Sequence, residues 1–349
     1  MSEGKIGPAG PGGCSRRDVL RIGAVVGLGA AFGGALGVDL MRRAGMRRVR
    51  QTRTRMGTVV SITVVHPDGD GARALVESAF AEMARLEAAL TRHRPEAPLG
   101  RLNREGRIDH APVELHFVLN DALALAERTA GAFDPTVLPV LEAWEATWWR
   151  GAGRPTDREI DGARALVGYR GLRAAGEGWV LDDSRMGVTL DGIAKGYIVD
   201  RALDVLVAGG ADRVLVNAGG DMASAGGADD SEPWTVAIQD PRDSERSAGL
   251  VRLDGGCIAT SGDYQRSFTE DRRDHHILDP RTGRSPGAVS SVSVIAPTAM
   301  QADGLSTALL VLGPDEGRAL IDLTPAAGAL VVGKDGSVAR SRRFELLGA

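Results

Sequence analysis

The fold turns on residues 188–221, VTLDGIAKGYIVDRALDVLVAGGADRVLVNAGGD. Residues 188–190 read as the end of a buried strand. Asp191-Gly192 then turns the chain into an amphipathic helix, in which Ile198, Val199, Ala202, Leu203 and Leu206 recur at helical spacing. Gly209-Gly210 stops that helix as a left-handed cap would, and residues 213–217 form a second short apolar strand. The turn of this strand–turn–helix–strand unit offers backbone N–H groups at a helix N-terminus, with Lys195 one step inside. That geometry suits a phosphate group. It also occurs in many units with no ligand, their end groups met by water or side-chain caps.

Around this unit the chain alternates strand and helix patterns without a dividing linker. Residues 56–65 are β-rich, and 72–90 form an amphipathic helix with Leu75, Ala79, Met83, Leu86 and Leu90 on or near one face. The polar, Pro-containing stretch 91–104 reads as a loop, 113–130 as a helix ended by Gly131, and 138–144 as a short helix. Residues 144–155, rich in Trp, Gly and Arg, read as a surface loop, 157–167 as a helix, and 172–190 as two or three short strands. Downstream, 234–238, 250–253, 257–260 and 289–296 are strands. Two helices, 300–312 and 315–323, are separated by Gly313-Pro314, and a final hairpin turns at Asp335-Gly336. The pattern predicts one α+β domain over 56–349, with mixed sheets and flanking helices.

The 349 residues are 43% hydrophobic and 25% charged, the balance of an ordinary soluble globular protein. A net charge of −4 gives no case for nucleic-acid binding. The first forty residues differ. Ser15-Arg16-Arg17-Asp18 sets a paired arginine before the Gly/Ala-rich apolar run 22–36, the pattern of a twin-arginine export signal. The expected signal covers 1–37 and places the mature protein outside the cytoplasm. Its cleavage would remove Cys14 and leave Cys257 alone, so no intramolecular disulfide can form. The stretch 42–55 holds seven arginines and no acid. It reads as a solvated linker over 38–55, or as a contact with anionic lipid headgroups that would give membrane association through the N-terminus.

Four polar clusters could carry chemistry. In Ala132-Phe133-Asp134 an aromatic beside a carboxylate can hold a flat heterocycle, although Asp-Pro also initiates ordinary turns. The Asp191–Lys195 turn is the second. His275-His276-Ile277-Leu278-Asp279-Pro280 is the third; adjacent histidines in an extended chain point to opposite sides, and one could act as acid or base near neutral pH. In the fourth, Asp303 and Thr307 stand four residues apart, so a helix puts both oxygens on one face. One or two carboxylates with substrate phosphates commonly hold Mg²⁺, while an aspartate at a helix start is also a common cap. Gly-Gly-Asp at 219–221 is too short to mean much. His-Glu-x-x-His, Walker and Cys-x-x-Cys motifs are absent.

Taken in order, Met56-Gly57-Thr58, 131–137, 190–200, 217–221, 275–283 and 303–309 resemble the ApbE family of FAD:protein FMN transferases. The resemblance covers nearly all of 56–333. It implies that Met56 contacts FAD, that Ala132, Phe133 and Asp134 bind its adenosine half, and that Lys195 approaches it, with Thr189 and Ile277 among the contacts. It implies a Mg²⁺ site of the Gly192 carbonyl, Asp303 and Thr307, and His276 in the active site. Two departures stand out: His93 where an aromatic is expected, and Thr189 where the family often has an acid.

The implied reaction attacks the FAD pyrophosphate with a Ser or Thr hydroxyl of an extracytoplasmic acceptor protein. That acceptor carries a motif of the type Asp-Gly-x-Ser/Thr-Gly/Ser-Ala-Ser/Thr, and AMP leaves. His276 and Asp303 are the expected catalytic residues. An FAD pyrophosphatase would need the same site, and a non-catalytic periplasmic flavin-binding protein would need less of it. A zinc hydrolase on His110, His116, His275 and His276 lacks metal-type spacing.

Overall fold

The computed structural model describes residues 45–151, 153–229 and 232–347. The expected signal, with its arginine pair and Cys14, lies outside them. In chain order the elements are strands β1 (Arg47–Arg55) and β2 (Thr58–His66), helices α1 (Gly69–Leu90) and α2 (Pro98–Glu105), strand β3 (Arg107–Ile108), and helices α3 (Val113–Arg128), α4 (Leu138–Trp149) and α5 (Asp157–Arg164). Strands β4 (Leu172–Ala175) and β5 (Gly178–Leu181) lead to helix α6 (Ala194–Ala208). Strands β6 (Val214–Ala218), β7 (Asp221–Ala225), β8 (Trp234–Gln239), β9 (Ser247–Leu253), β10 (Cys257–Gly262) and β11 (Val289–Ala296) follow. Helix α7 (Ala299–Leu323) and strands β12 (Gly328–Gly333) and β13 (Val338–Arg340) complete the chain.

The main sheet has eight strands in the order β1-β2-β6-β7-β10-β11-β12-β13, and every pairing among the described strands is antiparallel. Alternation sorts its two faces. Val60, Ile62 and Val64 of β2 and Val214 and Val216 of β6 point to one side, where they pack with Val76, Phe80 and Met83 of α1 and Ile198 and Val199 of α6. Val65 and Ile258 point to the other side and meet Trp234, Val236 and Ile238 of the β8–β9 hairpin. The protein is thus a helix layer, a sheet and a hairpin layer, with a small β3-β5-β4 sheet beside them. Among the described residues no helix is long and apolar enough to cross a membrane.

Four local expectations are corrected. The arginine-rich stretch is not a linker over Arg47–Arg55: it is the edge strand β1, paired with β2 from Arg47↔His66 to Arg55↔Thr58. Arginines tolerate an edge because their charge discourages further strand pairing. Residues 98–104, expected as loop, lie in α2; Pro98 sits where its missing N–H is harmless, Gly106 ends the helix with φ 69°, and Leu99 and Leu102 are buried. Helix α4 continues past Trp144 to Trp149, and Trp144 is core, its indole N–H donating to the Gly283 carbonyl at 2.9 Å.

The fourth concerns 188–190, which is extended but belongs to no sheet. Asn103 substitutes for a strand neighbour: its Oδ1 accepts the Val188 N–H at 2.7 Å and its Nδ2 donates to the Val188 carbonyl at 2.8 Å. The Gly313-Pro314 break stands as expected, Gly313 leaving helical geometry at φ 77° and ψ −173°. The left-handed cap of α6 is Gly210 at φ 92°, while Gly209 has a negative φ.

Candidate active site

Two features of the frame bring the chemical groups together. The β1–β2 connection has positive φ at both Met56 (50°) and Gly57 (69°), the two-residue turn that matches strand twist. Its Met56 N–H donates to Glu87 Oε1 at 2.9 Å. Helices α6 and α7 touch at Gly196, where an added Cβ would lie 2.2 Å from the Ala299 carbonyl oxygen. That contact brings the helix carrying Lys195 against the one carrying Asp303 and Thr307.

At this junction Asp303 Oδ2 accepts the Gly196 N–H at 3.0 Å, and Thr307 Oγ1 stands 3.5 Å from the Gly192 carbonyl oxygen. Ser261, at the end of β10, places its hydroxyl 2.7 Å from Ser306 Oγ and 3.1 Å from Thr307 Oγ1. Asp221, the first residue of β7, is buried. Its Oδ2 lies 3.3 Å from Lys195 Nζ, in ion-pair contact but without hydrogen-bond geometry. Burial raises both Asp221 and Asp303 above the usual carboxylate range; Lys195 pulls the other way in both, and for Asp303 the neighbouring Asp221 adds to the rise. Burial works against the Lys195 ammonium, but Asp221 and Asp303 outweigh it and raise its pKa.

Two buried carboxylates held protonation-prone beside a lysine form a site short of positive charge. The oxygens on offer are a backbone carbonyl, a hydroxyl and carboxylates, the donor set of a hard cation. The orphaned Asp221 oxygen adds to that demand, so the residues fit Mg²⁺. Among the described residues no group of three or more His, Cys, Asp or Glu side chains comes together as a metal site, so a cation here would rest on the backbone carbonyl and the hydroxyl as well as carboxylate. His110 and His116 instead contact Glu177 at the small sheet.

His276 is half-buried, with Arg266 and Asp191 among the charged groups acting on it. Its Nδ1 lies 3.0 Å from the Arg266 carbonyl, which accepts from it and leaves the Nε2 lone pair free. Burial, then the Arg266 and His275 charges, pushes its pKa down to about 3. Ile277 beside it is buried, and His275 is fully buried with Lys334, Asp263 and Arg242 as its charged neighbours.

Phe133 is packed within 3.3 Å of where a Gly192 Cβ would sit, so the aromatic turn abuts the Gly192 turn. Asp134 already accepts from the Thr136 N–H and hydroxyl, both at 2.7 Å, and from the Tyr169 N–H at 2.8 Å. It shapes the 132–137 turn that carries Ala132, itself buried. Thr189 links the turns: its N–H donates to the Pro135 carbonyl at 2.8 Å and its Oγ1 accepts the Asp191 N–H at 3.2 Å.

Several site residues had no signal in sequence spacing. Arg92 pairs with Asp191 at 3.1 Å and with Glu145 at 3.0 Å, and Glu145 also pairs with Arg266. Asp191 is 49% exposed, yet Arg92, His93 and Arg266 surround it, which marks the wall of an open cleft. His93 is exposed at the edge of these charges, and partial desolvation there, then the Arg92 charge, lowers its pKa.

Fold and site together define an α+β protein with a buried lysine–carboxylate cluster at an oxygen-rich junction of two helices. The chain belongs to the ApbE family, whose family model matches residues 56–331. It is 32% identical over 280 residues to the FAD:protein FMN transferase of Salmonella typhimurium, covering 76% of this chain and 79% of the relative. It is 32% identical over 290 residues to that of Vibrio cholerae, covering 80% and 86%. The crystal structure of the ApbE protein from Thermotoga maritima superposes with a TM-score of 0.77 at 31% identity, over 85% of this chain and 98% of that one. The apo flavinyl transferase ApbE of Pseudomonas stutzeri gives 0.74 at 31% identity, over 87% and 98%.

Proposed function

We propose that this enzyme is a FAD:protein FMN transferase that moves FMN from FAD onto a Ser or Thr hydroxyl of an acceptor protein and releases AMP. The observation that carries the reading is the buried Asp221–Asp303 pair beside Lys195 at the α6–α7 junction, a site that accepts positive charge on one side and phosphate on the other. Gly192 O, Asp303 and Thr307 Oγ1 would hold Mg²⁺, which supplies charge neutralisation for the diphosphate and the AMP leaving group.

The protein's own groups do the rest. Lys195 and the N–H groups at the start of α6 bind phosphate oxygens. Phe133 and Ala132 wall the adenosine side, and Met56 at the hairpin tip borders the cleft. The acceptor oxygen bonds to the FMN phosphorus as the bridging P–O bond to AMP breaks. The bond pair leaves with AMP, and the hydroxyl proton passes to a base. His276 Nε2 is the lone pair placed to orient that hydroxyl and take its proton. Its depressed pKa makes it a weak base alone, and a bound phosphate raises it by its negative charge. Asp191, held by Arg92, is the competing proton acceptor.

The acceptor motif Asp-Gly-x-Ser/Thr-Gly/Ser-Ala-Ser/Thr belongs to this reading, as does export through the arginine pair at 16 and 17. Support for export is the sequence of 1–37; a reporter fused to those residues should lose export when both arginines become lysine. The activity is tested by incubation with FAD and Mg²⁺, with and without a synthetic motif peptide, followed by mass spectrometry. A peptide gaining the mass of FMN is the expected result. AMP with free FMN in both arms indicates a pyrophosphatase, and unchanged FAD indicates a binding protein.

A further inference from the structure

Strand β8 has one strand partner among the described residues, β9, and so presents a free edge. Trp234, Val236 and Ile238 point down to the main sheet, while Thr235 and Ala237 alternate with them. All five nevertheless line one cavity of about 240 Å³. Both faces of a strand can border one cavity only where its edge faces that cavity. This wall therefore offers alternate backbone N–H and C=O groups with no strand neighbour. The opposite wall is the sheet surface of Ser61, Asn217 and Thr260.

The cavity runs toward the reacting groups. Thr260 lines it on the hairpin-side face of the main sheet, while Asp221 and Ser261 face the helix side. The two sides meet at the sheet's end, where Gly219, Gly220 and Tyr264 line the cavity and the Tyr264 phenol lies near enough to Lys195 to feel its charge. Gly219 packs so closely on Thr58 that an added Cβ would sit 2.2 Å from its hydroxyl, which places this end at the β1–β2 tip beside Met56. The far end is fixed by register: Arg50 lies opposite Thr63 and Arg48 opposite Val65. Arg48, Arg50 and Arg246 line the cavity with a single carboxylate, Glu232. From Thr63 to Thr58 is five residues of strand, about 17 Å.

We infer that this cavity is the acceptor groove: an extended segment of the acceptor polypeptide adds along the free edge of β8, with acidic residues held by the arginines and its hydroxyl delivered past Gly219–Gly220. The inference rests on the transferase reading. An enzyme that modifies a protein side chain must hold a backbone, and edge pairing supplies affinity through main-chain hydrogen bonds. The arginine excess selects acidic flanking residues, about five residues from the modified hydroxyl.

The test uses the full protein with FAD, Mg²⁺ and a synthetic Asp-Gly-Ala-Thr-Gly-Ala-Thr peptide flanked on both sides by glutamates. The double variant R50E/R246E changes exposed side chains away from the metal and phosphate groups. Acceptor kcat/KM should fall on the order of tenfold with the KM for FAD unchanged, and saturating peptide should slow amide hydrogen exchange across 234–239 in the wild type. Unchanged acceptor kcat/KM, or exchange at 234–239 indifferent to the peptide, overturns the groove. A loss confined to the KM for FAD assigns the cavity to the flavin and also overturns it. If the wild type yields no FMN-peptide, the transferase reading itself fails and the groove falls with it.

Discussion

Asp303 receives the Gly196 N–H at 3.0 Å, so the carboxylate of one helix is aimed by the backbone of another. The bond leaves the other carboxylate oxygen of Asp303 for a cation. Asp303→Ala should reduce Mg²⁺-dependent FMN transfer on the order of 10³-fold, the scale of losing a preorganised group that stabilises charge. Chromatographic measurement of AMP release across a Mg²⁺ titration checks this. A variant releasing AMP at the wild-type rate would remove Asp303 from the site.

The same junction tolerates no side chain. Gly196→Ala drives a Cβ to within 2.2 Å of backbone that cannot rotate away, the Ala299 carbonyl. Helix separation should cost about 1–3 kcal/mol and displace Asp303, four residues along α7 from Ala299. Urea denaturation should show the stability loss and steady-state transfer a fall in kcat. Full activity with native stability would mean the helices are not in register-defining contact.

Asp200 ties the helices a second time. Its two oxygens accept the Ala299 N–H at 2.7 Å and the Met300 N–H at 2.9 Å, capping α7 from α6. Asp200→Ala leaves two N–H groups without that acceptor and should destabilise the fold by about 2 kcal/mol. Thermal denaturation measures it; an unchanged midpoint would show that water replaces the cap without loss.

His275 predicts a pH effect. Burial, and then the Lys334 charge, pushes its pKa down to about 4, with Asp263 and Arg242 also facing it. Neither ring nitrogen has a hydrogen-bond partner. An unfolded histidine titrates near 6.5, so between about pH 6.5 and 4 the unfolded chain takes up a proton that the native chain refuses. The neutral ring's contribution is therefore complete above pH 6.5 and lost as pH falls. Between pH 7 and 4.5 the wild type should lose more thermal stability than His275→Leu. Parallel losses in the two proteins would contradict the assignment.

The elements with strong apolar periodicity were legible in the chain: α1, α6, β2, β6, β11 and the two segments of α7. So was the pairing of Asp303 with Thr307, because helical spacing is local. What escaped depended on distant partners. β1 alternates arginine with Thr, Gln and Val, and only pairing with β2 makes it a strand. Glu145 lay in a stretch read as loop; its partners are 53 and 121 residues away. Asp221 carried no local signal, and its meaning comes from Lys195 arriving on another element.

The stretch 188–192, where the fold was first read, is tied to side chains rather than to a sheet. Asn103 holds it on one side, and the Thr189–Pro135 bond joins it to the aromatic turn. The aromatic turn and the Gly192 turn are therefore joined into a single plate, hung on an asparagine and free of strand hydrogen bonds. Such a plate can be retuned by substitution at a few anchor positions while the sheet behind it stays unchanged.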